Sequence, residues 1–292
     1  MIMMHAMLGG ALLLAPVPGA AATDPETLRE QAAAQAAEAG WLSGFPVPGR
    51  MWSRGAAGDA PLFVGVDDSG VPAYRINVDD GSATPQFSGF QLWAAAYDPA
   101  ENQVYFTSGS TLGVWPVGGT PSVLGTITDT GGATQVMVGL AFHNGHLYGT
   151  KNIANEGVWE INPVSLVATI LIDYVDGDLD CGGLAVDPAT GDFLCTNDAA
   201  TPYGAGLVRI NTDASVDLIT PYPAGETDID GLAISSDRRA YLVTDEPGDI
   251  YVWDLAAAAY QTPIGNPWMS SEIFAAAAWI TSDVIFADGF DP

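Results

Sequence analysis

GLAVDPATGDFLCTND, residues 183–198, contains two short apolar runs around a turn-forming centre. GLAV and FLCT are strand-length and too short for a helix, and Asp187, Pro188 and Gly191 between them are residues that close hairpins. Beyond it, GLVRINTDAS at 206–215 supplies a third run, and SVDLITP from Ser215 a weaker fourth. The first run recurs as LWAAAYDPAENQ from Leu92, VGLAFHNGH from Val138, DGLAISSDRR from Asp230 and, more faintly, FAAAAWITSD from Phe274. Aligned on Ala96, Ala141, Ala185, Ala233 and Ala278, the copies stand 45, 44, 48 and 45 residues apart. The second run recurs as QVYFTSG from Gln103, HLYGTKN from His146 and AYLVTDE from Ala240. The third alternates aromatic and polar residues, as in EGVWEIN ending at Asn162 and DIYVWD ending at Asp254.

Four short strands in a repeat of this length make one blade of a β-propeller, so the fold class is all-β. The first strand is rich in Ala and Gly because inner strands crowd the axis. The third carries Trp or Tyr because stacked sheets need bulk between them. A lone blade cannot cover both faces, so the blades must close into a ring. The count is five. The N-terminal blade, near 61–89, lacks an inner strand, and the last inner strand, near 273–280, lacks a third strand after it. The C-terminal strand is therefore expected to complete the N-terminal blade. A six-bladed ring follows instead if residues 284–286 start a further blade.

The rest of the chain divides around this ring. Residues 1–22 read as a secretory signal: an apolar stretch too short to span a bilayer, then small residues before Thr23. No Lys or Arg precedes that stretch. Residues 23–58 read as a short helical spacer and linker, with Asp24 capping, Pro25 at the first helical position and Gly40 at the end. The propeller spans 59–280, and 281–292 form a C-terminal tail. The sequence implies a monomer exported to the cell surface, the medium or the periplasm, without a transmembrane segment. Export suits a disulfide between Cys181 and Cys195, which lie on neighbouring strands but not directly opposite; two buried thiols are the alternative.

Thirty-five Asp and Glu face eight Lys and Arg, a net charge of −27, and Lys151 is the single lysine. That balance excludes nucleic acid as a partner. It allows a cation, a protein, a glycan or a small molecule. Strand alternation gathers acids on the face where chain enters the inner strands. Entering loops give Asp176, Asp178, Asp180, Glu226, Asp228, Asp230 and Glu272; the loops between second and third strands give Asp67, Asp68, Asn152, Asn197, Asp198, Asp245 and Glu246. The opposite face carries DPAENQ, HNGH, DPATGD and SSDRR, which read as hairpin turns. His143 and His146 flank one of these turns. No G-x-S-x-G, H-E-x-x-H or phosphate-cradling loop occurs. DGDLDCG at 176–182 spaces acids as a calcium loop does, but it lacks the turn glycine and the twelfth-position glutamate of an EF-hand.

The phrases at 183–198 and 206–215 resemble propeller repeats of the YVTN type. DIDGLAISSDRRAYLVTDEPGDIYVWD, 228–254, is similar to NHL repeats and to the gluconolactonase and senescence-marker family. The resemblance covers about 59–280 and is specific for architecture. The tail DVIFADGFDP, 283–292, resembles an IFxDGF-type ending of exported proteins of Xanthomonas-like bacteria, which implies an export or surface-sorting role. The gluconolactonase-like resemblance implies a Ca²⁺-type metal at the channel mouth, carried onto Asp180, Asn197, Asp228 and Asp245. Asn197 and Asp245 each follow the Thr of a matching phrase, and Asp180 and Asp228 match each other. Lys151 and Ser108 replace the equivalent oxygen ligand in two other blades. Two functions follow: an exported acidic propeller acting as a non-catalytic binding or surface module, or a metal-dependent lactonase-like hydrolase.

Overall fold

The computed structural model describes residues 60–281 apart from residue 224. The expected signal and helical spacer lie outside the described residues. So do the tail beyond Thr281 and the 284–286 strand on which a sixth blade rested. Within them stands a ring of five antiparallel blades, each with an inner, a second, a third and an outer strand.

Blade 1 orders Ala275–Trp279, Leu62–Val66, Ala73–Ile76 and Ala83–Phe87 from the axis outward. The ring therefore closes as the repeat count requires, with Leu62 opposite Trp279 and Val66 opposite Ala275. Blade 2 runs Ala94–Asp98, Gln103–Ser108, Thr111–Pro116, Ser122–Thr126. Blade 3 runs Gly139–His143, His146–Lys151, Gly157–Ile161, Val167–Asp173, and Thr128–Asp129 adds a short parallel strand to its rim. Blade 4 runs Cys181–Val186, Phe193–Asn197, Gly206–Ile210, Val216–Pro221. In blade 5, Gly231–Ile234, Arg239–Val243 and Asp249–Asp254 are followed by an outer strand split into Ala259–Tyr260 and Ile264–Gly265.

Each inner strand touches the next around the axis, and glycine makes that approach feasible. A Cβ on Gly183 would lie 2.5 Å from the Asp230 carbonyl oxygen, just before the next inner strand, and 2.7 Å from the Leu232 nitrogen within it. The third strands fill the wedges between blades. Trp115 is buried between Phe63 and Phe87, with ring centroids at 5.4 and 5.2 Å. In blades 1 to 4 the register slips once between third and outer strand, a bulge that adds twist where the sheet fans outward. The threonine repeated at the end of the second strand joins neighbouring blades: Thr107 Oγ1 donates to the Met137 carbonyl at 3.0 Å, and Thr150 Oγ1 to that of Cys181 at 3.4 Å.

Cys181 and Cys195 form a disulfide, with Cα atoms 5.6 Å apart. Cys181 pairs with Asn197 and Cys195 with Leu184; the register shifts between Cys181 and Leu184, so the bridge runs diagonally.

Candidate functional site

The loops that enter inner strands, and those between second and third strands, meet on one face. There the carboxylates separate by how each chain segment turns. Asp180 is buried; its N–H donates to Asn197 Oδ1 at 2.8 Å, and its Oδ1 accepts from Asn152 Nδ2 at 3.0 Å. Asn197 is 0% exposed and engaged with backbone: Nδ2 donates to the carbonyls of Ala199 and Gly204 at 3.0 and 2.9 Å. It holds the 198–205 loop shut. Asp245 is buried, and its carbonyl accepts the Glu272 N–H at 3.2 Å.

Among the described residues, the carboxylate grouping that could hold a metal is Asp198, Asp228 and Asp230, with one oxygen from each within 4.8 Å of the others. Only Asp228 belongs to the expected set. Asp198 sits one residue past Asn197; strand alternation turns Asn197 into the blade and leaves Asp198 to open the loop, where its Oδ1 accepts from the Ile229 N–H at 3.1 Å. Asp230 is 1% exposed and packs over Gly182, where any Cβ would come 2.5 Å from Asp230 Oδ1. A side chain at 182 would displace that carboxylate. The sequence signal for this trio was present: acids at alternate positions 228 and 230, opposite a Gly-Gly pair at 182–183. The trio joins unlike positions of two blades, so equivalence between repeats does not reveal it.

Blade 3 uses a cation instead. Lys151 is buried, Nζ donates to Gln135 Oε1 at 2.6 Å, and the ammonium lies 4.9 Å from the Trp159 ring centroid. Burial lowers its pKa, while Asp176, Asp129 and Glu156 act to raise it. Asp176 receives the N–H groups of Asn155 and Glu156 at 3.1 and 2.8 Å, so the first acid of the DGDLDCG loop latches two loops together. Asp67 Oδ1 accepts the Ile273 and Phe274 N–H groups at 3.0 and 3.3 Å; burial raises its pKa against the pull of those donors.

The mouth thus has two halves. Asp198, Asp228 and Asp230 occupy the side of blades 4 and 5. On the other side Trp93 and Phe274 stack at 4.0 Å beside Val138, and these residues stand just before the inner strands of blades 2, 1 and 3. The axis beneath is packed by Gly, Ala and Leu. Its far end opens into a cavity of about 80 Å³ lined by Tyr97, Phe142, Val186, Ile234 and Trp279, one from each blade. His143 and His146 lie on that far face; His146 Nδ1 is 2.6 Å from Glu160 Oε1, and His143 contacts Asn144. Among the described residues no helix is long and apolar enough to cross a membrane.

No family model matches the sequence, and no curated protein matches it. Solved structures resemble the fold. One from a nidogen–laminin complex has a TM-score of 0.48 and 16% identity, covering 75% of this chain and 82% of its own. A protein of unknown function from Bacteroides caccae has a TM-score of 0.42 and 13% identity over 70% of this chain and 73% of its own. An auxiliary nutrient binding protein from Bacteroides thetaiotaomicron VPI-5482 has a TM-score of 0.43 and 10% identity over 74% and 62%.

Proposed function

We propose that this chain is an exported, monomeric, non-catalytic binding module that takes a cation, or a ligand bearing one, at the acidic mouth. The finer resemblance to YVTN, NHL and gluconolactonase-like propellers, and the sorting role of the tail, belong to the same reading. One observation carries it: the convergence of Asp198, Asp228 and Asp230 over a packed axis. Carboxylates this close repel one another, and a hard cation with oxygen ligands relieves that repulsion. The donor set fits such an ion, and Gly182 leaves room for Asp230 in it. The lactonase-like alternative needs the same ion plus a general base beside it. Both described histidines stand on the opposite face, so a base for that reaction would have to be one of the mouth carboxylates.

The test is thermal unfolding in CaCl₂ against NaCl at matched ionic strength, so that screening is equal in both. A ligand at a hundred times its Kd stabilises by about 2.7 kcal/mol. For a ring of this size that is a rise on the order of 5–10 °C. Asp228→Asn is expected to remove most of the gain and Glu101→Gln, on the far face, to leave it. Equal stabilisation by both salts would show the trio to be a solvated surface.

A further inference from the structure

The cavity at the far end of the axis takes no part in the acidic mouth, and its wall is largely backbone. Each inner strand ends its sheet, with the second strand on one edge and the axis on the other. Hydrogen bonds to the second strand leave from every second residue. In blade 1 the Phe274 carbonyl accepts from the Asp67 N–H at 3.2 Å and the Ile280 N–H donates to the Pro61 carbonyl at 2.8 Å, so Ala276 and Ala278 also face the sheet. Ala277 and Trp279 turn their N–H and C=O groups to the axis. In blades 4 and 5 the Asp187 N–H donates to the Asp192 carbonyl and the Ser235 N–H to that of Arg239, both at 2.9 Å, which sets the same phase. In blade 3 it follows from the two-residue turn that pairs His143 with His146. In blade 2 it follows from the Val117 N–H bond to the Asn102 carbonyl at 3.0 Å, which turns Gln103 toward Asp98. Every blade thus gives the axis the residues before and after its repeat alanine, and these line the cavity.

All five inner strands run from the acidic mouth to the far face, so equivalent groups fall at similar depth. The deepest N–H groups are covered: the Leu184 and Leu232 nitrogens lie against Gly139 and Gly183 of the preceding blade. Outward from that floor the wall reads carbonyl, N–H, carbonyl. None of the fifteen lining residues is charged, so an ion entering would lose its hydration without meeting a counter-charge. An anion is opposed further by the net charge of −27. At about 80 Å³ the space is about half the ~150 Å³ that houses benzene, room for roughly three or four non-hydrogen atoms. A ligand matched to this wall is small and neutral, donates at the floor and accepts above it. A primary carboxamide meets those terms, and the half-exposed rings of Phe142 and Trp279 at the rim suit the carbon attached to it.

We infer that the far end of the axis binds one primary carboxamide, its NH₂ on the floor carbonyls and its oxygen toward the N–H groups above them. The group can arrive on a small free amide or on a glutamine or asparagine side chain of another protein. The site is separate from the acidic-mouth reading.

Saturation-transfer NMR on the full chain with acetamide tests it. Acetamide should receive transfer, and its methyl protons should show NOEs to the Trp279 and Phe142 rings. Acetone, which accepts but cannot donate, and methylammonium, which donates but cannot accept, should show neither. Val186→Trp, which adds an indole at the rim, should abolish both signals, and Val164→Ser, at an exposed turn, should keep them. A blocked glutamine residue that outcompetes acetamide would identify a protein side chain as the source; one excluded from the cavity would identify a small free amide. Transfer to acetone or methylammonium equal to that of acetamide would overturn the inference, as would an acetamide signal that survives in Val186→Trp. Absence of transfer to acetamide in the unaltered chain would overturn it without recourse to any variant.

Discussion

Replacing Gly183 with Ala probes the crowding that brings the inner strands of blades 4 and 5 together. The added Cβ would meet the Asp230 oxygen at 2.5 Å, the Leu232 nitrogen at 2.7 Å and the Leu232 Cβ at 2.8 Å. Ordinary contact begins near 3.4 Å, so the strands must part by about 0.9 Å, and two of the three neighbours are backbone atoms that no rotamer change can move. Overpacking of one methyl costs about 1–3 kcal/mol, and an unyielding backbone partner puts this site near 3. At about 2–4 °C per kcal/mol for a domain of this size, Tm should fall by roughly 6–12 °C. Gly248→Ala is the matched control. Its Cβ meets nothing within 4 Å, and its backbone needs no glycine, so it should be neutral or slightly stabilising. The assay is thermal unfolding with the disulfide intact. The shift of strand Gly231–Ile234 also moves Asp230, so Gly183→Ala should weaken stabilisation by Ca²⁺ as well. A Gly183→Ala protein within ~0.5 kcal/mol of wild type would refute the inner-strand packing.

Two further outcomes follow. The Cys181–Cys195 bridge spans a sequence separation of 14, which corresponds to about 3 kcal/mol, so the Cys181→Ala, Cys195→Ala double variant should melt roughly 6–12 °C lower; an unchanged Tm would show the bridge to be dispensable. At Asp187, burial raises the pKa, but the Arg238 guanidinium, bonded at 3.1 and 2.6 Å, outweighs it and holds the carboxyl below its usual range. With the folded value below the unfolded one, the pair stabilises above about pH 4 and loses its contribution as pH falls through the folded value. Arg238 is a third exposed, so solvent screens the pair and Arg238→Ala should cost about 0.5–1 kcal/mol at pH 7 and clearly less at pH 2–3; an equal loss at both pH values would exclude the ion pair as the cause.

The ring was legible because it is written five times. The alanine intervals fix the period, the small residues mark the axis, and the unmatched strands at either end point to closure between Leu62–Val66 and Ala275–Trp279. The mouth was harder to read because equivalence between blades is a rule of backbone position. Asn197 and Asp245 hold matching places, yet Asn197 binds carbonyls of its own loop, and the neighbour Asp198 meets Asp228 and Asp230. Lys151 shows the same limit: its position predicts an oxygen ligand, and its ammonium is held over Trp159 by Gln135, a residue outside the repeat phrases. The stacked pair of Trp93 and Phe274 joins residues about 180 positions apart, which no local pattern reveals.

The seam of blade 1 imposes an order on folding. Pairing within blade 4 closes a short hairpin, whereas Leu62 must find Trp279 across almost the whole described chain. On a loop-closure scale the longer search costs about 3 kcal/mol more. Blades 2 to 5 each take all their strands from one contiguous segment and can form as that segment emerges. The first blade must wait for the last strand. Until residues 275–279 arrive, LFVGV at 62–66, buried throughout in the finished ring, presents an unpaired apolar edge of the kind that recruits other chains. A chain stalled or cut before that point would retain nearly all its blades together with its most adhesive surface.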